Sequence, residues 1–130
     1  MMEDNFIRVL RIDTAHRIYW DDLPNTLEAL QQAVGGYIEV VPLNEQLCVI
    51  CNEEGKLLGL PPVAVMPARH DVRCGPLVIC RTTPDGEFTD TQDEDLYTIE
   101  KYLVLAACKK KSALREWSPN RAQKISDSPV

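Results

Sequence analysis

Residues 38–52 read Ile38-Glu39-Val40-Val41-Pro42-Leu43-Asn44-Glu45-Gln46-Leu47-Cys48-Val49-Ile50-Cys51-Asn52, or IEVVPLNEQLCVICN in one-letter code. Two runs rich in β-branched and apolar residues flank Asn44-Glu45, which predicts a β-hairpin. Pro42 has no N–H to give to a ladder, so its strand is predicted to carry a free or irregular edge. That edge leaves room for pairing with a second copy of the chain.

Upstream, FIRVLRI (6–12) and HRIYW (16–20) have strand composition, with Asp13, Thr14 and Ala15 turning between them. LPNTLEALQQAVGG then spaces Asn25 and Glu28 as a capping box. It sets Leu27, Leu30 and Val34 on one face and stops at Gly35-Gly36, which predicts a short helix. Downstream, NEEGK reads as a turn in which Gly55 would supply a positive φ. The segment from Gly59 to Gly75 carries few regular signals and reads as a long loop stiffened by Pro61, Pro62 and Pro67.

LVICRTT predicts a further strand closed by Pro84-Asp85-Gly86. DTQDEDLYTIEKYLVLAACKKK then predicts a long helix, with Thr91 and Glu94 as capping box and an apolar stripe of Leu96, Ile99, Leu103 and Ala107. Two helices with about five strands make an α+β fold with a mainly antiparallel sheet.

A chain of 130 residues suits one domain. Residues 1–108 hold 8 of the 14 basic and 18 of the 20 acidic residues, a balance of −10, whereas residues 109–130 balance at +4. The expected organisation is one α+β domain over 1–108 and a basic, flexible tail over 109–130. Phosphate backbones bind positive surfaces, so direct nucleic-acid binding by the acidic part is disfavoured. Trp117 among the tail lysines could touch nucleic acid, but a solvated terminus explains it as well. No run approaches the roughly 18 apolar residues of a membrane span. The start, MMEDNFIRVL, lacks the basic and then apolar pattern of a secretory signal. Together with an odd count of five cysteines, this leads to the expectation of a cytoplasmic protein with reduced thiols.

Chemical motifs are sparse. Gly55-Lys56 lacks the earlier glycine and the following hydroxyl of a phosphate loop: Ile50 and Leu57 stand there. Cys48 and Cys51 with His70 and Cys74 offer four potential zinc ligands. In a regular strand, however, side chains three apart point to opposite faces, so two buried structural cysteines are the simpler reading. Cys74 near His70 and Asp71 is the one arrangement that could serve a nucleophile, as in a small Cys-His hydrolase. The acids Asp90, Asp93, Glu94 and Asp95 are explained by the positive end of a helix. Neither a catalytic residue nor a cofactor is expected.

VGGYIEVVPL, NEEGKLLGLPP and GPLVIC, in that order across residues 27–83, resemble a family of small uncharacterised proteins from bacteriophages and mobile genetic elements. Where members carry an asparagine after the double proline, this chain has Val63. The resemblance implies a non-catalytic binding protein that inhibits or sequesters a host-defence protein or an anionic signal molecule. An acidic nucleic-acid mimic is the alternative. The residues proposed for contact are Tyr37, Asn52, Glu54 and Lys56 at strand or turn ends, with Arg69, His70 and Arg73 as a positive patch.

Overall fold

The computed structural model of the chain describes residues 5–106. In chain order the elements are β1 (Phe6–Ile12), β2 (Ile18–Pro24), α1 (Leu27–Val34), β3 (Ile38–Pro42), β4 (Leu47–Asn52) and β5 (Pro62–Met66). A 3-10 turn (Pro67–Arg69), β6 (Asp71–Cys74), β7 (Leu77–Thr82), β8 (Phe88–Thr89), α2 (Asp95–Tyr102) and β9 (Val104–Leu105) follow. β2-β1-β7-β4-β3 form one sheet, with β8 paired to β7; β6-β5-β9 form a second. Every pairing is antiparallel, so the fold is α+β, as expected.

The uninterrupted apolar runs of β4 and the first half of β7 are buried on both faces, because each face of the large sheet is covered. On one face, α1 packs Leu30 and Val34 against Ile7, Val9, Cys48, Ile50, Val78 and Cys80. On the other, Leu10, Ile12, Val49 and Ile79 meet Val63, Ala64 and Met66 of the second sheet and Leu96, Ile99 and Leu103 of α2. The result is three layers with the large sheet in the middle. β3, with Pro42, is an edge strand as the sequence predicted.

Several expectations need correction. Nine strands form among the described residues, against about five expected. The second strand begins at Ile18 because the Asp13 carboxylate takes the N–H groups of Ala15 and Arg17 and holds the turn, leaving His16 left-handed at φ 66°. Thr26, not Asn25, caps α1 by accepting from the Ala29 N–H at 3.1 Å. Asn25 instead donates to the Phe88 carbonyl, and Leu27 faces solvent.

The second helix stops at Tyr102. Leu103 turns extended and still packs in the core, while Val104 and Leu105 pair with Val65 and Ala64 on the open edge of β5. A β-branched, apolar segment gained ladder bonds there that one more helical turn could not supply. Thr91 is no cap either: its buried hydroxyl donates to the Ile79 carbonyl. Ala107 and the 109–130 tail lie outside the described residues.

Candidate interaction site

The expected long loop from Gly59 to Gly75 is a β-hairpin with Val63, Ala64 and Met66 in the core, and its 3-10 turn ends in a left-handed His70 at φ 51°. Burial of Val63, Ala64 and Met66 and the added strand β9 outweighed the proline signals. That hairpin supports the preceding turn, residues 53–59, which carries two exposed leucines.

Four backbone bonds bind the turn to itself: Gly55 N–H to the Asn52 carbonyl (3.1 Å), Leu58 N–H to Glu54 (2.9 Å), Gly59 N–H to Lys56 (3.1 Å) and Leu60 N–H to Gly55 (3.0 Å). Asn52 anchors it from below. Its buried amide donates to the Val34 carbonyl at 3.1 Å and its Oδ1 accepts from the Glu54 N–H at 2.8 Å. Gly55 has no positive φ, contrary to expectation; it is needed because a Cβ there would collide with the Cys74 carbonyl. The left-handed position is Gly59, at φ 72°. Lys56 Nζ reaches Asp71 at 3.2 Å, tying the turn to β6.

The product is a fixed knuckle that turns Leu57 (86% exposed) and Leu58 (57%) to solvent. Tyr37 (67% exposed) flanks it, its carbonyl accepting from the Glu53 N–H at 2.8 Å. Consecutive leucines on a rigidly bonded turn are large apolar groups held ready for contact. Sequence reasoning missed both. The available signal was an apolar pair between Gly55 and Gly59, in a turn whose conformation calls for polar residues.

The predicted positive patch does not form. Arg73 points between the sheets, with its side chain 14% exposed, and bonds Glu39 Oε1 at 2.9 Å, Asp71 Oδ2 at 3.1 Å and the Cys51 sulfur at 3.3 Å. Its Nε is buried without a hydrogen-bond partner. Burial works against its charge, but the bonds it donates to Cys51 and Glu39 and the charge of Asp71 win and hold its pKa above the ordinary value. Burial likewise pushes the Cys51 thiol up, against the opposing pull of Arg73. Arg69 is exposed but spends one nitrogen on the Pro42 carbonyl at 3.2 Å, and His70 is exposed beside it.

Of the residues predicted for contact, Tyr37, Glu54, Lys56, Arg69 and His70 are at the surface. Asn52 and Arg73 are structural, and the fold pairs Lys56 with Asp71 in place of a ligand. Cys48 and Cys51 point to opposite faces, Cys48 beneath α1 and Cys51 toward the second sheet, so they cannot share an ion. Cys48 sits directly opposite Cys80. A bond with Cys48, helped by burial, pushes the Cys80 thiol up, while that bond draws Cys48 down. Cys74 faces Pro62 across the hairpin. No group of three or more His, Cys, Asp or Glu side chains among the described residues gathers around a common point suited to a metal.

A hollow of about 570 Å³ takes in Arg69 together with Pro42, Leu43 and Tyr102. One of about 800 Å³ runs along Thr26, Glu28, Gln31 and Gln32 of α1, and one of about 590 Å³ lies between Glu45, Arg81 and Asp90. Neither gathers the predicted residues. No helix among the described residues is long and apolar enough to cross a membrane.

Fold and surface together define a three-layer α+β domain that displays a braced apolar turn at one end of its sheet. The chain belongs to the family described as a domain of unknown function, DUF3846, whose model matches residues 7–104, from β1 to the first residue of β9. The match is to an uncharacterised family, as the sequence led one to expect, and is wider than residues 27–83. No curated protein and no solved structure matches the chain.

Proposed function

We propose that this protein works by binding rather than by catalysis, and that it presents the Leu57-Leu58 knuckle to a partner protein of the host-defence machinery, which it inhibits or sequesters. One observation carries the reading: the turn is braced by Asn52, by four backbone bonds and by Lys56–Asp71, yet its two leucines contact solvent. Bracing without burial is what a preorganised contact requires, since the ordering cost is met before the partner arrives. The phage or mobile-element origin and the host-defence partner come from the resemblance of the motifs. An anionic small molecule fits less well, because Arg73 is already neutralised within the fold.

A second reading, the acidic mimic, is favoured by Glu45 in the β3–β4 turn and Asp85 and Glu87 in the β7–β8 turn. These are exposed acids on neighbouring turns, which the Thr82 N–H bond to the Gln46 carbonyl holds together. Capture of host-defence proteins by the immobilised chain, quantified by mass spectrometry, separates the two. Leu57→Asp with Leu58→Asp should abolish capture, whereas Arg69→Ala should not. A capture that ignores the leucines and collapses with moderate salt would favour the mimic. Substrate turnover by the purified protein that a single Cys74→Ser change abolishes would overturn both.

A further inference from the structure

The free edge of the large sheet is β3, and the parity of its ladder fixes which backbone groups face outward. The Glu53 N–H bonds the Tyr37 carbonyl and the Leu43 N–H bonds the Leu47 carbonyl, so residues 37, 39, 41 and 43 address β4. Ile38, Val40 and Pro42 therefore aim their backbone groups away from the sheet. Pro42 has no N–H, and its carbonyl already accepts from Arg69. On the other side, the Gly36 N–H is spent on the Gln31 carbonyl at the end of α1. Two residues keep both an outward N–H and an outward C=O, Ile38 and Val40, four groups in all, with the Gly36 carbonyl beyond them.

We propose that this edge pairs with the same edge of a second copy. In an antiparallel two-fold register centred on Glu39, Ile38 of each chain lies opposite Val40 of the other. Each such pair exchanges two N–H···O=C bonds, so all four groups on each chain are used. The register also sets Gly36 against Pro42, whose carbonyl is already taken by Arg69. A longer foreign strand would run past this window and meet, at Pro42, a residue that cannot donate.

Side chains agree with the register. On the α1 side Ile38 would meet Val40, which is 43% exposed and apolar at its position in the edge. On the opposite side the two Glu39 carboxylates would face each other, a repulsive pair were they bare. Each is already bonded by its own Arg73. The other edge of the sheet, β2, is closed only toward its end, where Asp21 uses its own carboxylate to occupy the Asp22 N–H and Pro24 has none.

The test is sedimentation of the full chain across roughly three decades of concentration, with residue-level amide exchange at each step. A concentration-dependent dimer is expected, with the Ile38 and Val40 amides exchanging quickly when dilute and becoming protected when concentrated. Val40→Pro removes an outward N–H that β4 does not use, hence two of the eight bonding partners, and should weaken the dimer at least about tenfold. Val40→Thr keeps the N–H and should retain dimer formation. A chain that stays monomeric throughout, with Val40 exchanging quickly, would overturn the proposal. So would a dimer untouched by Val40→Pro, or Val40 protection that requires a foreign protein and ignores concentration. The exchange arm needs only the unaltered chain, so the proposal stands or falls even if the proline variant misfolds. Loss of the dimer leaves the leucine knuckle reading intact, because the two surfaces are probed by separate variants.

Discussion

Arg81 of β7 and Asp95 at the start of α2 meet through two bonds of 2.8 Å, Nε to Oδ2 and an Nη to Oδ1, with the carboxylate 7% exposed. The same carboxylate accepts from the Gln92 N–H. Asp95 thus fastens α2 to the sheet as well as bracing its own first turn. Arg81→Met would strand a buried carboxylate and should cost about 2–3 kcal/mol in urea denaturation. Arg81→Met combined with Asp95→Leu should recover part of the loss, and a double-mutant cycle with coupling near zero would contradict the pairing.

Asp71 gives the acid limb of stability a particular source. Burial raises its pKa, but the bond from Lys56 and the charges of Arg73 and Lys56 outweigh this and hold it below the ordinary carboxylate value. Because the folded pKa is depressed, the stabilisation is fully present above the unfolded value of about 4 and fades as pH falls through the folded one. Asp71→Asn should therefore lower stability at pH 7 and flatten its pH dependence below about pH 4, read from denaturation midpoints. An unchanged acid limb would mean that Asp71 does not carry it.

These two salt links also mark where the sequence was legible and where it was not. β1, β4, β7 and α1 are signalled by local composition, because each buries apolar residues of its own where it stands, whereas β3 is signalled by its β-branched residues although only Val41 is buried. β5 and β6 are five and four residues long and gain their stability from partners distant in sequence, including β9. Nothing local told Leu103 to leave the helix. Arg73 read as a surface charge because its partner Glu39 lies 34 positions away, and only the packing of the second sheet on β3 and β4 brings them together. The acids before α2 were credited to the helix dipole. In the structure Asp90 takes the Arg8 N–H, Asp93 pairs with Arg8 and Asp95 holds Arg81.

Burial predicts an order of thiol reactivity. Cys48, Cys51 and Cys80 are enclosed and Cys74 is partly open. With a neutral alkylating reagent, Cys74 should label in the native protein, while the enclosed Cys48, Cys51 and Cys80 wait for unfolding; peptide mass spectrometry reads the order. Early labelling of Cys48 would imply that α1 opens easily from the sheet, since that helix packs over it.

Two glycines in the knuckle should respond differently to alanine. At Gly59 nothing lies within 4 Å of an added Cβ, so Gly59→Ala pays only for a φ of 72° and should cost about 1 kcal/mol. At Gly55 the added Cβ runs into the Cys74 carbonyl, a backbone atom that cannot rotate away. Gly55→Ala must lift the turn from β6, straining the Lys56–Asp71 link, and should cost about 2–3 kcal/mol. Because the collision moves the turn itself, Gly55→Ala should also weaken partner capture through Leu57 and Leu58. Gly59→Ala should leave capture nearly intact at temperatures where both variants remain folded. Equal losses of capture would show that rigid placement of the two leucines is irrelevant to binding.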